Sequence, residues 1–486
     1  MSPGLVLQLN SCILSKKERS VKKEYAIYLF IFFACVLSRV FTAVELPGDP
    51  ENMNYLRHVE SSYVQWFELS FSPLYVNEVK LLMSFTKSNL AFAFAGGLAT
   101  FILIIASLRL LDQPANSFYG ALLVILVFFN PMIWLFGNRY TADLTGASLA
   151  LLIIALGLRS KSKRDVYLFW IALGLLPWIK VMYLIMVAPV VIYVILEERE
   201  KMKLSWVATI PVGLALASVT ILSSIPGFYH DSIWLEENLM LQLNPMDIDT
   251  MSKVLLFFKT FWVNAAGGWW TDRPFWLIFP TAIIILPVIS FLFNKTFFNS
   301  TLKEYVVLTS AVLYAGIIFL VCDAYTMQSY VLPLASLFLV ISVLGMQGIL
   351  NEINTKLTYI AIGLGLIFYA LNTFNLVKES KNGTAVRQAI HEVEEKKMTP
   401  IVVSSIPLQW LLIFGSSIDL TKLTLIEDTI QDPNNFGTGY FIGDKRLPEG
   451  ITSTSIITPV KVFSHDPYMN PVWPSITLYK FERRKP

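Results

Sequence analysis

Apolar runs of about 14–22 residues recur along the chain, near residues 25–44, 90–111, 117–136, 142–158, 166–179, 181–196, 205–224, 274–293, 304–321, 330–349 and 357–377. Crossing ~30 Å of hydrocarbon takes about 20 apolar residues in a helix, so each run reads as a membrane span. Three polar stretches separate or follow them, at residues 45–89, 225–273 and 378–486. The last changes character. A helical period over residues 383–397 is followed by alternating segments at 401–404, 440–443 and 476–481, the pattern of a small α/β unit long enough for its own core. The predicted fold is therefore a polytopic α-helical membrane protein of about eleven transmembrane helices over residues 1–377, with an α/β domain over 378–486. No internal repeat or low-complexity tract interrupts it.

Residues 166–196 decide the topology. As one kinked helix they would place their basic flanks on opposite sides of the membrane; as two spans they place both flanks on one side. The two-span reading predicts a hairpin of short helices, roughly 21–24 Å each at 1.5 Å per residue. Its turn, Pro177-Trp-Ile-Lys180, then lies below the surface, where a lysine is costly without an anionic partner. Snorkelling to the interface is the bland alternative.

Charge placement tests this order. The 486 residues are 55% hydrophobic and only 15% charged, against about 25% in soluble chains. A net charge of +3 gives no argument for nucleic acid. Basic residues gather at Lys16, Lys17, Arg19, Lys22 and Lys23; at Arg159, Lys161, Lys163 and Arg164; at Arg199, Lys201 and Lys203; at Lys295 and Lys303; and at Lys356. With a cytoplasmic N-terminus and eleven spans, all of these fall inside. Residues 45–89 and 225–273 and the tail then face outward. Residues 1–24 read as no cleavable signal, so the first run is expected to be retained. Cys12, Cys35 and Cys322 have no pairing or metal spacing, and His58, His230, His391 and His465 none for zinc. The absent signal and few cysteines suit a prokaryotic plasma membrane.

Candidate chemistry gathers at the outer ends. Asp49 and Glu51, fixed between Pro47 and Pro50 after the first span, offer a general base that stays ionised, or a solvated acidic turn. Asp143 opens the fourth span, as a group for chemistry, a charge favoured by the helix N-terminus, or an i,i+4 partner of Arg139. Lys180 suits a lipid phosphate. Residues 76–85 can lie in the interface plane. The aromatic residues around Trp269 and Trp270 are an interfacial belt or a sugar platform, with Asp272 beside them. Asn382-Gly-Thr384 is a glycosylation sequon of the kind that arises by chance.

Together these motifs resemble the GT-C membrane glycosyltransferases, in the branch of protein O-mannosyltransferases and the aminoarabinose transferase of lipid A. Asp49-Pro-Glu51 is similar to that branch's first-loop acidic pair, and Ser72-Pro-Leu-Tyr75 to its Pro-Pro-Leu-Tyr interfacial helix. Asp143 stands at the place of its second acid, Gly174-Leu-Leu-Pro-Trp-Ile-Lys180 is similar to its Gly-Leu-Ala-x-x-x-Lys turn, and Tyr330-Val-Leu-Pro333 to its Tyr-x-x-Pro opening of a late span. Two departures stand out. Proline separates the first-loop acids, and Gln328 and Ser329 precede Tyr330 where some relatives carry a base.

The resemblance implies transfer of one sugar from a polyprenyl- or dolichyl-phosphate donor to a protein, lipid or glycan acceptor on the outer face, with inversion. It implies Asp49 as base with Glu51 and Asp143 in the catalytic set, and Lys180, Tyr330, Arg57 and Lys80 for the donor phosphate. Tyr55, Tyr75, Trp269, Trp270 and Asp272 are weaker candidates for sugar or acceptor contacts. No cofactor is required, although Glu51 and Asp143 offer ligands for a divalent metal. Asp49-Pro50 with Arg57 is also similar to the first loop of oligosaccharyltransferases, whose Trp-Trp-Asp motif is interrupted here as Trp269-Trp270-Thr271-Asp272. A lipid-linked glycan flippase or transporter would instead carry charges along the midplane and often repeats. A membrane scaffold would leave Lys180 unexplained.

Overall fold

The computed structural model describes residues 24–43, 55–56, 59, 72–197, 250–266, 275–293, 302–321, 327–353, 356–381, 384–403, 423–425, 438–443, 455–464 and 475–483. The described chain is mainly helical: α1 (Glu24–Phe41), α2 (Pro73–Met83), α3 (Ser88–Leu111), α4 (Phe118–Phe128), α5 (Pro131–Asn138), α6 (Asp143–Leu158), α7 (Lys163–Leu175), α8 (Leu184–Glu197), α9 (Thr250–Ala266), α10 (Phe275–Phe293), α11 (Leu302–Val321), α12 (Met327–Glu352), α13 (Lys356–Lys381) and α14 (Ala385–Glu395). Among the described residues four stretches are long and apolar enough to cross a membrane, Glu24–Phe41, Ser88–Leu111, Ser329–Asn351 and Lys356–Lys378. The pair α4–α5, bent by 52°, makes up to five. Shorter apolar helices include α6 and the stretches Val181–Leu196, Thr281–Phe291 and Tyr305–Leu320. The predicted span at 205–224 lies outside the described residues. Length and apolarity thus establish four or five of the eleven expected crossings.

The bend has a local cause. Pro131 has no amide hydrogen to continue a helix and instead opens the next one, where the Asn130 side chain accepts from the amides of Met132 and Ile133. Backbone groups freed inside hydrocarbon must find partners. Helix α13 supplies one, because the Thr373 hydroxyl donates to the Phe129 carbonyl. Asn130 also donates to the Tyr369 hydroxyl at 2.8 Å. Arg39 of α1, fully buried, stacks its guanidinium 3.8 Å from the Trp134 ring centre and donates to Thr100. The aromatic face takes the place of a carboxylate.

Residues 163–197 fold back as the predicted hairpin, and two glycines of α6 show it. A methyl group at Gly157, near the end of α6, would meet Phe169 of α7 and both Val190 and Val194 of α8. At Gly146, near its start, it would meet Tyr183 and Lys180. Both arms therefore run along α6, and the turn lies at the Asp143 end. Two short 3-10 turns, Leu176–Trp178 and Val181–Tyr183, flank Lys180 in extended backbone. At the other end Arg109 pairs with Asp165 at 2.8 Å and Lys161 with Asp112 at 2.7 Å. There Ser162 and Asp165 close a capping box that starts α7.

The tail forms a mixed five-stranded sheet in the order β2 (Leu423–Leu425), β1 (Ile401–Val403), β3 (Thr438–Gly443), β5 (Ser475–Arg483), β4 (Ser455–Ser464). The first three are parallel and the last two add on antiparallel. Helix α14 covers one face with Val386, Ala389, Ile390 and Val393, one apolar side at helical spacing. Glu392 on α14 pairs with Lys396 and, across to β4, with Lys461, and both cations hold its carboxyl below the ordinary range. Helix α13 runs to Lys381, four residues past the boundary expected at 377. The core is also shared. Ile401, Val403, Phe463, Ile476 and Leu478 pack in one cluster with Tyr55, Tyr75, Val79, Phe92, Tyr140 and Ile179, the cap of the bundle's Asp143 end.

Candidate functional site

Asp143 is the first residue of α6 and its side chain is fully buried. A carboxylate there faces the positive end of the helix. The cation that meets it comes from the hairpin. Lys180 Nζ lies 2.8 Å from Asp143 Oδ1, with 13% of its side chain exposed. The same ammonium stands 4.9 Å from the centre of the Tyr330 ring. Asp143 Oδ2 has no hydrogen-bond partner. Three residues far apart in sequence, on α6, the hairpin and α12, thus meet as one buried acid, one nearly buried base and a tyrosine.

Tyr183 fixes this geometry. It is fully buried, and its hydroxyl donates to the carbonyls of Asp143 and Ser329 at 3.4 and 3.3 Å. Its ring lies 6.0 Å from Tyr314 and 6.3 Å from Tyr330, both near edge-on. Tyr314 donates to the Tyr330 carbonyl at 3.1 Å. The hairpin is therefore tied to both α6 and α12. Sequence reasoning missed Tyr183 and Tyr314. For Tyr183 one signal existed, its place three residues after Lys180, where a 3-10 turn brings side chains onto one side.

The cap above the pair is aromatic. Tyr140 stacks on Phe92 at 4.2 Å, Tyr75 packs on Phe92 at 6.1 Å, and Tyr55 meets Tyr75 at 5.7 Å. Tyr55 and Tyr75 are both 2% exposed, and the Tyr55 hydroxyl is hydrogen-bonded to Ser72 at 2.8 Å. Both pack within this cap. The Ser72 backbone is left-handed (φ 53°) directly before Pro73 starts α2. Lys80, at the far end of α2, is partly exposed, and burial lowers its ammonium pKa. Glu78, two residues before it, is half-buried, and burial pushes its carboxyl up to about 7. The Tyr75 phenol is raised first by burial and then by the nearby charges of Glu78 and Asp143, among others.

Of the residues singled out from sequence, Asp143, Lys180 and Tyr330 come together, with Tyr75 and Tyr55 in the cap. Asp49, Glu51, Arg57, Trp269, Trp270 and Asp272 lie outside the described residues. Arg139 is not the partner of Asp143; its guanidinium lies 4.9 Å from the Phe136 ring. The i,i+4 reading fails because the backbone is extended at Arg139, which ends α5, and α6 starts only at Asp143. Among the described residues no group of three or more His, Cys, Asp or Glu side chains is placed to hold a metal ion.

No family model matches this chain, and no curated protein matches it in sequence. Solved structures do. ArnT from Cupriavidus metallidurans in the apo state superposes with a TM-score of 0.51 at 11% identity, over 96% of this chain and 98% of that one. The same protein bound to undecaprenyl phosphate gives 0.50 at 12% identity, over 95% and 97%. At such identity the likeness is one of fold, and it spans nearly the full length of both chains. This integral membrane chain has the fold of ArnT over nearly its whole length.

Proposed function

We propose that this protein transfers a single sugar from a polyprenyl-phosphate donor to an acceptor hydroxyl outside the cytoplasm, with inversion at the anomeric carbon. The observation that carries the reading is the Asp143–Lys180 pair beneath Tyr330, at the end of a bundle whose fold is that of a protein solved with undecaprenyl phosphate. A lysine ammonium in a nearly dry site is a strong partner for phosphate. Its carboxylate neighbour holds it in place until a phosphate arrives.

In the proposed step Asp49 takes the acceptor proton as the acceptor oxygen attacks the anomeric carbon. The bond from that carbon to the phosphate oxygen breaks, and its electron pair leaves on the phosphate, where Lys180 and the Tyr330 hydroxyl meet the developing charge. Preorganised charge of this kind is usually the largest catalytic contribution. Glu51, Arg57 and Lys80 are further candidates around the first loop and α2. The eleven-span topology, the cytoplasmic N-terminus, the outward tail and a prokaryotic plasma membrane belong to the same proposal. Its support is that the hairpin turn, α2 and the tail share one end of the bundle, opposite the basic residues Lys161 and Arg159. The acceptor is a protein, lipid or glycan.

The test is transfer by the purified protein in lipid discs, from radiolabelled polyprenyl-phosphate hexoses and pentoses to membrane extract. Label in a product, lost in Lys180→Ala, supports the reading. No transfer from any donor in the panel would overturn it.

A further inference from the structure

Pro333 lies in the second turn of α12, and a proline there leaves one carbonyl without its helical partner. That carbonyl belongs to Ser329, four residues earlier and next to Tyr330. In a membrane helix a carbonyl freed in this way must find another donor. The Tyr183 hydroxyl supplies it at 3.3 Å, from the turn of the hairpin. The next carbonyl, that of Tyr330, accepts from the Tyr314 hydroxyl of α11 at 3.1 Å. The opening turn of α12 is therefore held by side chains from two other elements. Both tyrosines are fully buried, their rings 6.0 Å apart and near edge-on, so they act through what they hold. Tyr183 is also fastened to the lysine side of the site. Its amide donates to the Lys180 carbonyl at 3.3 Å, and its hydroxyl reaches the Asp143 carbonyl at 3.4 Å.

We propose that Tyr183 is a positioning residue for the donor phosphate: it sets Tyr330 against Lys180, and it is needed because Pro333 has removed the bond by which α12 would hold that turn itself. This rests on the glycosyltransfer reading above, in which Lys180 and Tyr330 meet the phosphate. A clamp shared between a hairpin and a separate helix keeps its geometry only if the two are fastened together. The ammonium stands 4.9 Å from the Tyr330 ring centre across that joint. Tyr183 spans it, three residues after the lysine and bonded to the residue before Tyr330. Misplacing a group by about 1 Å is enough to cost much of its effect. Tyr314 braces the same turn from α11.

The experiment is a double-mutant cycle on the full-length protein in lipid discs. Tyr183→Phe is made in wild type and in Pro333→Ala, where an amide returns to the Ser329 carbonyl. Calorimetry with undecaprenyl phosphate reads donor affinity, and transfer kinetics read the acceptor KM. In wild type the substitution weakens undecaprenyl phosphate about 10-fold, the effect of an unsatisfied buried carbonyl, and leaves the acceptor KM within about twofold. In Pro333→Ala it weakens the same ligand less than about twofold, because the helix then holds its own turn. Tyr314→Phe, which removes the second brace, moves donor affinity in the same direction. A residue that only stabilises the fold would lower the melting temperature with donor affinity unchanged, or shift donor and acceptor together. Either result overturns the assignment of Tyr183, as does an equal loss of donor affinity in both backgrounds. Wild type that neither binds undecaprenyl phosphate nor transfers a sugar overturns the reading on which it stands.

Discussion

Lys180 Nζ and Asp143 Oδ1 lie 2.8 Å apart, although one residue sits in the turn of a hairpin and the other opens the preceding helix. Each charge justifies the burial of the other, and each is expensive alone. Removing one partner of such a pair costs about 3–5 kcal/mol, most of it from the charge left behind. Asp143→Ala should therefore unfold at markedly lower temperature than wild type in detergent. The double variant Asp143→Asn/Lys180→Met should recover most of that loss while remaining inactive, separating stability from chemistry. Equal melting of the single and double variants would contradict the coupling.

Lys180→Ala should weaken donor binding more than acceptor binding, because the ammonium is the charged group placed for phosphate. Separate titrations of polyprenyl phosphate and acceptor, read by calorimetry, check it. Equal losses would assign Lys180 to the scaffold alone.

Asp49→Asn should abolish sugar transfer while membrane insertion and melting temperature stay near wild type. Loss of a base with intact folding is the signature sought in the single-turnover assay. Undiminished transfer would dismiss this residue as base.

Glu78 gives a pH signature. Its carboxyl rises from 4.5 unfolded to about 7 folded, so the native state holds the proton more tightly than the unfolded chain. Between those values the native state binds more protons, so stability falls as pH rises through that window and is flat above it. At 1.36 kcal/mol per unit the penalty is about 3 kcal/mol at most above pH 7. Glu78→Gln, uncharged throughout, should lack this slope. Melting curves across pH 4.5–8 would show the two proteins converging at the acid end and the variant more stable at the alkaline end.

Gly146→Ala should loosen the hairpin. Its methyl group would lie 2.7 Å from the Tyr183 ring and 3.0 Å from Lys180 Cβ, and Tyr183 is held on both sides by carbonyls. Overpacking of this kind costs about 1–3 kcal/mol. Donor affinity should fall with it, whereas Gly316→Ala, which meets nothing within 4 Å, should change neither.

Much of this was legible in the chain itself. The apolar runs determined a helical membrane bundle, because hydrocarbon leaves backbone groups few alternatives to helices. The basic clusters flanking residues 166–196 determined that this stretch turns back, and the helical period of residues 383–397 with the alternation after it determined the α/β tail. Asn130-Pro131, Ser162 with Asp165, and Thr384 each cap the helix that follows, but the run at 117–136 reads in sequence as one span, and its break at Asn130 came only with the structure.

Tertiary structure decided the partners. Asp143 had three readings in sequence, and only the return of the hairpin along α6 gave it Lys180 in place of Arg139, because the extended residue at 139 breaks the helical spacing. Tyr183 and Tyr314 carry no motif, since their work is to donate to carbonyls that folding delivers. Tyr75 and Val79 looked like the apolar side of an amphipathic helix until they joined one core with the strands of the tail. Periodicity reports which side of a helix avoids water; what that side meets is settled by contacts between residues hundreds of positions apart.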